Sequence, residues 1–201
     1  MSWIKTITYA EAAGYLRQLY NRVKGPGGLV DNVLTIHSLR PHTLQGHMTL
    51  YKNVLHHRDN ELPKWYLETT GVFVSMLNGC SYCVDHHSAG LKRLLNDDER
   101  HRQLVDALAR KTYEKALDAK FAAGLRYAEK LTFHPADMVE GDVVTLREAG
   151  FSDGELLELN QVISYFCYVN RTVLGLGVTT EGDILGLSPG DGDDEGNWRH
   201  E

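Results

Sequence analysis

ETTGVFVSMLNGCSYCVDHH, Glu68 to His87, is the stretch that decides how this chain is read. Trp65, Leu67, Val72, Phe73, Val74, Met76 and Leu77 place apolar groups on nearly every face of a helix opened by Pro63, so the first half predicts a buried helix. Asn78-Gly79 interrupts it, and a second helix is expected from about Cys80 through Ala89, Leu91, Leu94 and Leu95. Cys80 and Cys83 are three positions apart, a spacing at which two thiols on a first helical turn can close a disulfide. His87 follows Cys83 by four, one turn further along the same face. Thiols at a helix N-terminus meet free backbone N–H groups and the positive end of the macrodipole, both of which favour thiolate. Glu68 sits in apolar surroundings and must find a partner or accept a raised pKa. It either pairs with Lys64, one turn earlier, or points across to the thiols as a proton acceptor.

Helical signals continue on both sides. Thr8 and Glu11 form a T-x-x-E capping box ahead of Ala12, Ala13, Leu16, Leu19, Tyr20 and Val23, and Gly25-Pro26-Gly27-Gly28 ends that helix. Residues 29–39 predict a short helix, and Pro41 starts another that carries Leu44, Met48, Tyr51 and Leu55. His37, His42 and His47 in this region are expected to make surface or interface hydrogen bonds. Asn96-Asp97-Asp98 caps a helix with Leu104, Val105 and Leu108, and residues 116–133 carry the stripe Phe121, Leu125, Ala128 and Leu131. A helix near 140–149 stops at Gly150, and Ser152 with Glu155 caps a long apolar helix through Leu176. Cys167 falls in its buried stripe as a small hydrophobe. No alternating strand pattern appears, so the fold is expected to be an all-α helical bundle in one domain, 1–189. The acidic, glycine-rich residues 190–201 are expected to be a mobile tail or held by a neighbouring subunit.

Composition narrows the function. The 201 residues are 42% hydrophobic, with 21 Lys+Arg against 27 Asp+Glu for a formal charge of −6, which argues against a nucleic-acid partner. No basic leader precedes an apolar run and no segment reaches the roughly 18 apolar residues of a membrane span, so a cytoplasmic location is expected. Three cysteines do not make a secreted disulfide framework.

Three readings of Cys80, Cys83 and His87 stand side by side. As zinc ligands, Cys80 and His87 would be separated by about 10 Å of helical rise, too far for one ion, and a fourth ligand is missing, so no metal is expected. As structural core cysteines they conflict with the polar Ser81, Tyr82, Asp85 and His86 around them. A dithiol redox centre fits best. Thioredoxin also carries C-x-x-C but needs βαβ strands that the sequence lacks. The position at the helix end favours Cys80 as the attacking thiol, whereas proximity to His87 favours Cys83.

The pattern Glu68, eleven residues, Cys80-Ser81-Tyr82-Cys83, three residues, His87 resembles the core signature of the AhpD-like alkylhydroperoxidase group of the carboxymuconolactone decarboxylase superfamily. Residues 152–159, SDGELLEL, with Tyr165-Phe166 and Val169-Asn170-Arg171, are similar to the C-terminal part of its peroxidase-related branch. The resemblance implies an AhpD-like bundle assembled as a homo-oligomer (dimer, trimer or hexamer) that acts as a thiol peroxidase on organic hydroperoxides. It implies Cys83 as peroxidatic thiol, Cys80 as resolving thiol, and His87 and Glu68 as the proton relay, with no bound cofactor. An external thiol, lipoamide or a lipoyl protein or a thioredoxin-like protein, would return the electrons. Tyr82 replaces the histidine that better-studied members carry between the cysteines, and with a pKa near 10 it is a poor base at pH 7; His86 or water is the expected substitute. Tyr82, His86, Asn170 and Arg171 are the candidate substrate-binding residues, the last two lining either the pocket or an interface. A dithiol oxidoreductase or redox sensor is the alternative function, and a lactone decarboxylase, which does not rely on the Cys pair, comes third.

Overall fold

A computed structural model describes residues 2–189 and 197–200. Its α-helices are α1 (Gly14–Val23), α2 (Asn32–Thr35), α3 (Pro41–Leu55), α4 (Lys64–Leu77), α5 (Ser81–Leu95), α6 (Asp98–Ala109), α7 (Ala119–Phe133), α8 (Glu140–Glu148) and α9 (Asp153–Leu176). Among the described residues the sole β pairing is one antiparallel bridge, Pro189 to His200. No described helix is long and apolar enough to cross a membrane.

α4 is the axis of the bundle, and every residue from Tyr66 to Ser75 is buried. A helix apolar on all sides has to be wrapped, and α5, α7 and α9 do the wrapping. The approach of α9 depends on Gly71, because a Cβ there would enter the Phe166 ring. Gly124 plays the same part for α7, bringing it against the Tyr66 hydroxyl, which donates to the Phe121 carbonyl at 2.8 Å. Glu158 on α9 fixes the entry to α4 by accepting the Glu61 and Leu62 amides, each at 2.8 Å.

The helix signals hold with three differences. The reciprocal Thr8–Glu11 bonds form, but they close a turn; Gly14 has φ of +54° and Ala13 provides no side-chain cap, so α1 starts later than the box suggests. The helix expected over 29–39 is only the four residues of α2. Of the tail expected to be mobile or held by a neighbouring subunit, 197–200 packs against α1, whereas 190–196 and 201 lie outside the described residues. Trp198 is buried with the Arg22 guanidinium 3.6 Å over its ring, and the His200 amide donates to the Val23 carbonyl. An aromatic and a histidine that bury against α1 outweigh the local acidic, glycine-rich composition.

Candidate active site

The α4–α5 turn builds the thiol pair. Asn78 is the C-cap of α4; Gly79 has φ of +71°, its amide bonds the Met76 carbonyl, and the Cys80 amide bonds the Ser75 carbonyl. This is the Schellman arrangement, which needs a residue without Cβ in the left-handed position. It delivers Cys80 as the N-cap of α5 and Cys83 within the first turn. Both thiols are free, and their sulfurs are 3.0 Å apart. Cys80 is 0% exposed and Cys83 3%.

A hydrogen bond between the two sulfurs makes them titrate as a unit. The bond from the Cys83 thiol, against the opposing effect of burial, lowers Cys80 below an ordinary thiol. The same bond and burial push Cys83 well up. The first ionisation of the pair is therefore the easier of the two, with the sulfurs 3.0 Å apart. Asn170 lies buried beside the pair, and its amide favours the thiolate form at both sulfurs. Asn78 Nδ2 donates to Asn170 Oδ1 at 3.0 Å, and Asn170 Nδ2 donates to Ser75 Oγ at 3.1 Å, so its orientation is set by α4.

Glu68 pairs with His87: His87 Nδ1 is 2.8 Å from Glu68 Oε2, with the carboxylate buried and the imidazole part-buried. Burial works against the Glu68 charge, but His87, together with His56 and Lys64, outweighs it and holds the carboxyl below its ordinary range. With Nδ1 committed to Glu68, the other ring nitrogen of His87 is the one available for proton exchange. The Phe166 ring packs edge-on against His87 at 4.7 Å and keeps that orientation.

Cys83, His87 and Glu68 line a cavity of about 270 Å³ that Cys80 does not reach. Tyr82 and His86 line it as well, but neither is free to relay protons from the thiols. The Tyr82 hydroxyl donates to Asp183 Oδ2 at 2.6 Å and accepts from the Val33 amide at 3.1 Å. Burial and the Asp183 carboxylate push its pKa well up. His86 stacks on Tyr82 and lies 3.3 Å from the same carboxylate. Arg171 points away, exposed, to the Cys167 carbonyl at 2.7 Å. Asn170 belongs with the thiols and does not line the cavity.

Sequence reasoning missed the far side of the cavity. Asp31, His47 and His200 line it, together with the C-terminal strap Gly186 to Pro189. His47 is buried, not a surface residue, and burial, with His37 and His200 nearby, pushes its pKa down to about 3. His200 Nδ1 is 2.7 Å from Asp31 Oδ2. Asp183 anchors the strap by accepting the Asn32 amide at 3.1 Å in addition to Tyr82. Asp31, Asp183 and His200 lie outside the helices and have no periodicity, so nothing in the sequence marks them, and His47 on α3 stands out there only as a surface or interface group. Among the described residues no three His, Cys, Asp or Glu side chains are grouped to hold a metal ion.

An all-helical fold with a buried dithiol facing a small cavity defines the class of this protein. No family model and no curated protein matches the chain. Solved structures do. An uncharacterized peroxidase-related protein from Silicibacter sp. TM1040 is 26% identical over 84% of each chain, with a TM-score of 0.70. An alkylhydroperoxidase AhpD core protein from Ralstonia eutropha JMP134, also described as uncharacterized and peroxidase-related, is 22% identical over 90% of this chain and 93% of its own, with a TM-score of 0.76. A variant of the debrominase Bmp8 bound to 2,3,4-tribromopyrrole is 16% identical over 90% and 95%, at 0.66. The chain thus has the helical fold of peroxidase-related and AhpD-core proteins.

Proposed function

We propose that the protein is a thiol-dependent peroxidase that reduces small organic hydroperoxides through a Cys80–Cys83 dithiol–disulfide cycle. The observation that carries this reading is one of depth. Cys83 is on the cavity wall, and Cys80 stands 3.0 Å from it, outside the cavity.

His87, held by Glu68, takes the Cys83 proton. The thiolate attacks the terminal peroxide oxygen; the S–O bond forms, the O–O bond breaks, and an alkoxide leaves. Cys80 then displaces water from the Cys83 sulfenic acid to give the disulfide, before overoxidation can occur. Two thiols are oxidised by two electrons as ROOH becomes ROH and H2O. The small cavity, with Cys83 only 3% exposed, disfavours the alternative of a redox sensor oxidised by protein disulfides. It also favours a slender dithiol such as lipoamide over a thioredoxin-like surface as the reductant. A decarboxylase would leave the paired thiols without a part in the reaction. Homo-oligomeric assembly remains part of the proposal.

The test is a thiol count on reduced protein before and after one equivalent of an alkyl hydroperoxide, followed by stopped flow beside Cys83→Ser. The wild type should lose two thiols rapidly and the variant should show no fast phase. Thiols that persist for minutes in the wild type, or an equally fast variant, would sink the reading.

A further inference from the structure

The peroxide step needs a base for the thiol and an acid for the departing alkoxide, and the cavity wall carries, besides His86 with Asp183, two histidine–carboxylate pairs in which both members line it. The second pair, Asp31–His200, is built like the first. Nδ1 of His200 lies 2.7 Å from Asp31 Oδ2, and both side chains are 6% exposed. Nε2 of His200 is buried and has no hydrogen-bond partner among the described residues. A buried imidazole nitrogen without a partner is costly unless something else occupies its direction. His200 shares the cavity with Cys83 and His87, and the Tyr51 ring neighbours both histidines, with centroids 6.2 Å from His87 and 6.4 Å from His200. The ring is held in place by the bridge to Pro189, the His200 amide on the Val23 carbonyl, and Asp31.

We propose that His200 is a second catalytic residue, the general acid that protonates the leaving alkoxide, with Asp31 as its positioning residue. The inference rests on the peroxidase reading above and divides the proton work of that reaction. His87 receives the proton of the Cys83 thiol. As the S–O bond forms and the O–O bond breaks, the proton on His200 Nε2 passes to the RO oxygen and an alcohol leaves. The neutral His200 is reprotonated from solvent, and the proton on His87 is released when the site resets, so the overall balance of two thiols and ROOH to disulfide, ROH and H2O is unchanged. His47 lines the same cavity, but burial pushes its pKa down to about 3, so it carries no extra proton for this role.

The experiment separates an acid from a structural prop by changing the leaving group. Single-turnover oxidation of the reduced protein is measured with an alkyl hydroperoxide, whose alkoxide needs a proton, and with a peracid, whose carboxylate does not. Wild type is compared with His200→Gln and Asp31→Asn, and alkylation of Cys83 by iodoacetamide, which expels iodide, serves as a further reaction without proton demand. The expected result is a loss of about 100-fold with the alkyl hydroperoxide in His200→Gln, as for removal of a general acid. The peracid and iodoacetamide rates should stay at wild-type values, and Asp31→Asn should show the same pattern more weakly. Unchanged rates with both peroxides overturn the proposal. So does an equal slowing of all three reactions, which is what a displaced C-terminal segment would give. Failure of the peroxidase reading itself would appear in the wild type, as inertness to both peroxides, and so is distinguishable from failure of the His200 assignment.

Discussion

Glu68 and His87 form a buried pair in which each group is tolerated because of the other. His87→Leu would leave the carboxylate without its partner, and truncating one member of such a pair costs about 3–5 kcal/mol. Urea unfolding should show this loss, and Glu68→Gln combined with His87→Leu should recover part of it. The pair also sets a pH dependence. Since the folded protein holds Glu68 below a glutamate's ordinary 4.5, its contribution to stability is complete above that value and is lost as the pH falls through the lower, folded-state value. Acid titrations of stability should therefore be shallower in Glu68→Gln than in wild type. Asn170 acts on the thiols: Asn170→Leu removes an amide that favours thiolate, so the first ionisation of the pair should move to higher pH in ultraviolet thiolate titrations. At this scale Cys80, Cys83 and His87 could be grouped from the sequence because helical spacing puts Cys83 within about a turn of each of the other two, while Glu68 joined them through the family resemblance. The contact between Glu68 and His87 was not legible, because only the α4–α5 hairpin brings the two together.

Helices meet in this bundle where side chains are absent. Gly71→Ala would drive a methyl into the Phe166 ring. Overpacking of that kind costs about 1–3 kcal/mol, and because Phe166 also rests on His87, the variant should lose peroxide reactivity as well as denaturant midpoint. The strap responds to a different change. Asp183→Ala would leave the Tyr82 hydroxyl and the Asn32 amide without their acceptor, at about 2–3 kcal/mol for bonds to a charged group. Amide exchange of Asn32 and Val33 should rise more than exchange within α4. The long helices were readable from periodicity and caps, as the Ser152–Glu155 box of α9 illustrates with both bonds made. α2 was overextended because apolar residues from Leu29 to Leu39 mimic a helical stripe while serving as loop contacts. Nothing in the composition of residues 178–189 announces a wall of the cavity.

Seen whole, the molecule is a helical bundle whose cavity is closed by pieces remote from it in sequence. Asn32 and Asp183 are separated by 151 residues, and Asp31 and His200 by 169. α4, α5 and their shared turn, by contrast, are neighbours along the chain. Contacts that close long loops form slowly, because the chain must be confined before they stabilise anything. In refolding from denaturant, helical signal should thus return before the Trp198 fluorescence that reports its burial against Arg22. During that interval the thiols are already side by side but lack their roof. A chain caught there would meet any electrophile that reached it, large or small, so the order of assembly decides when discrimination begins.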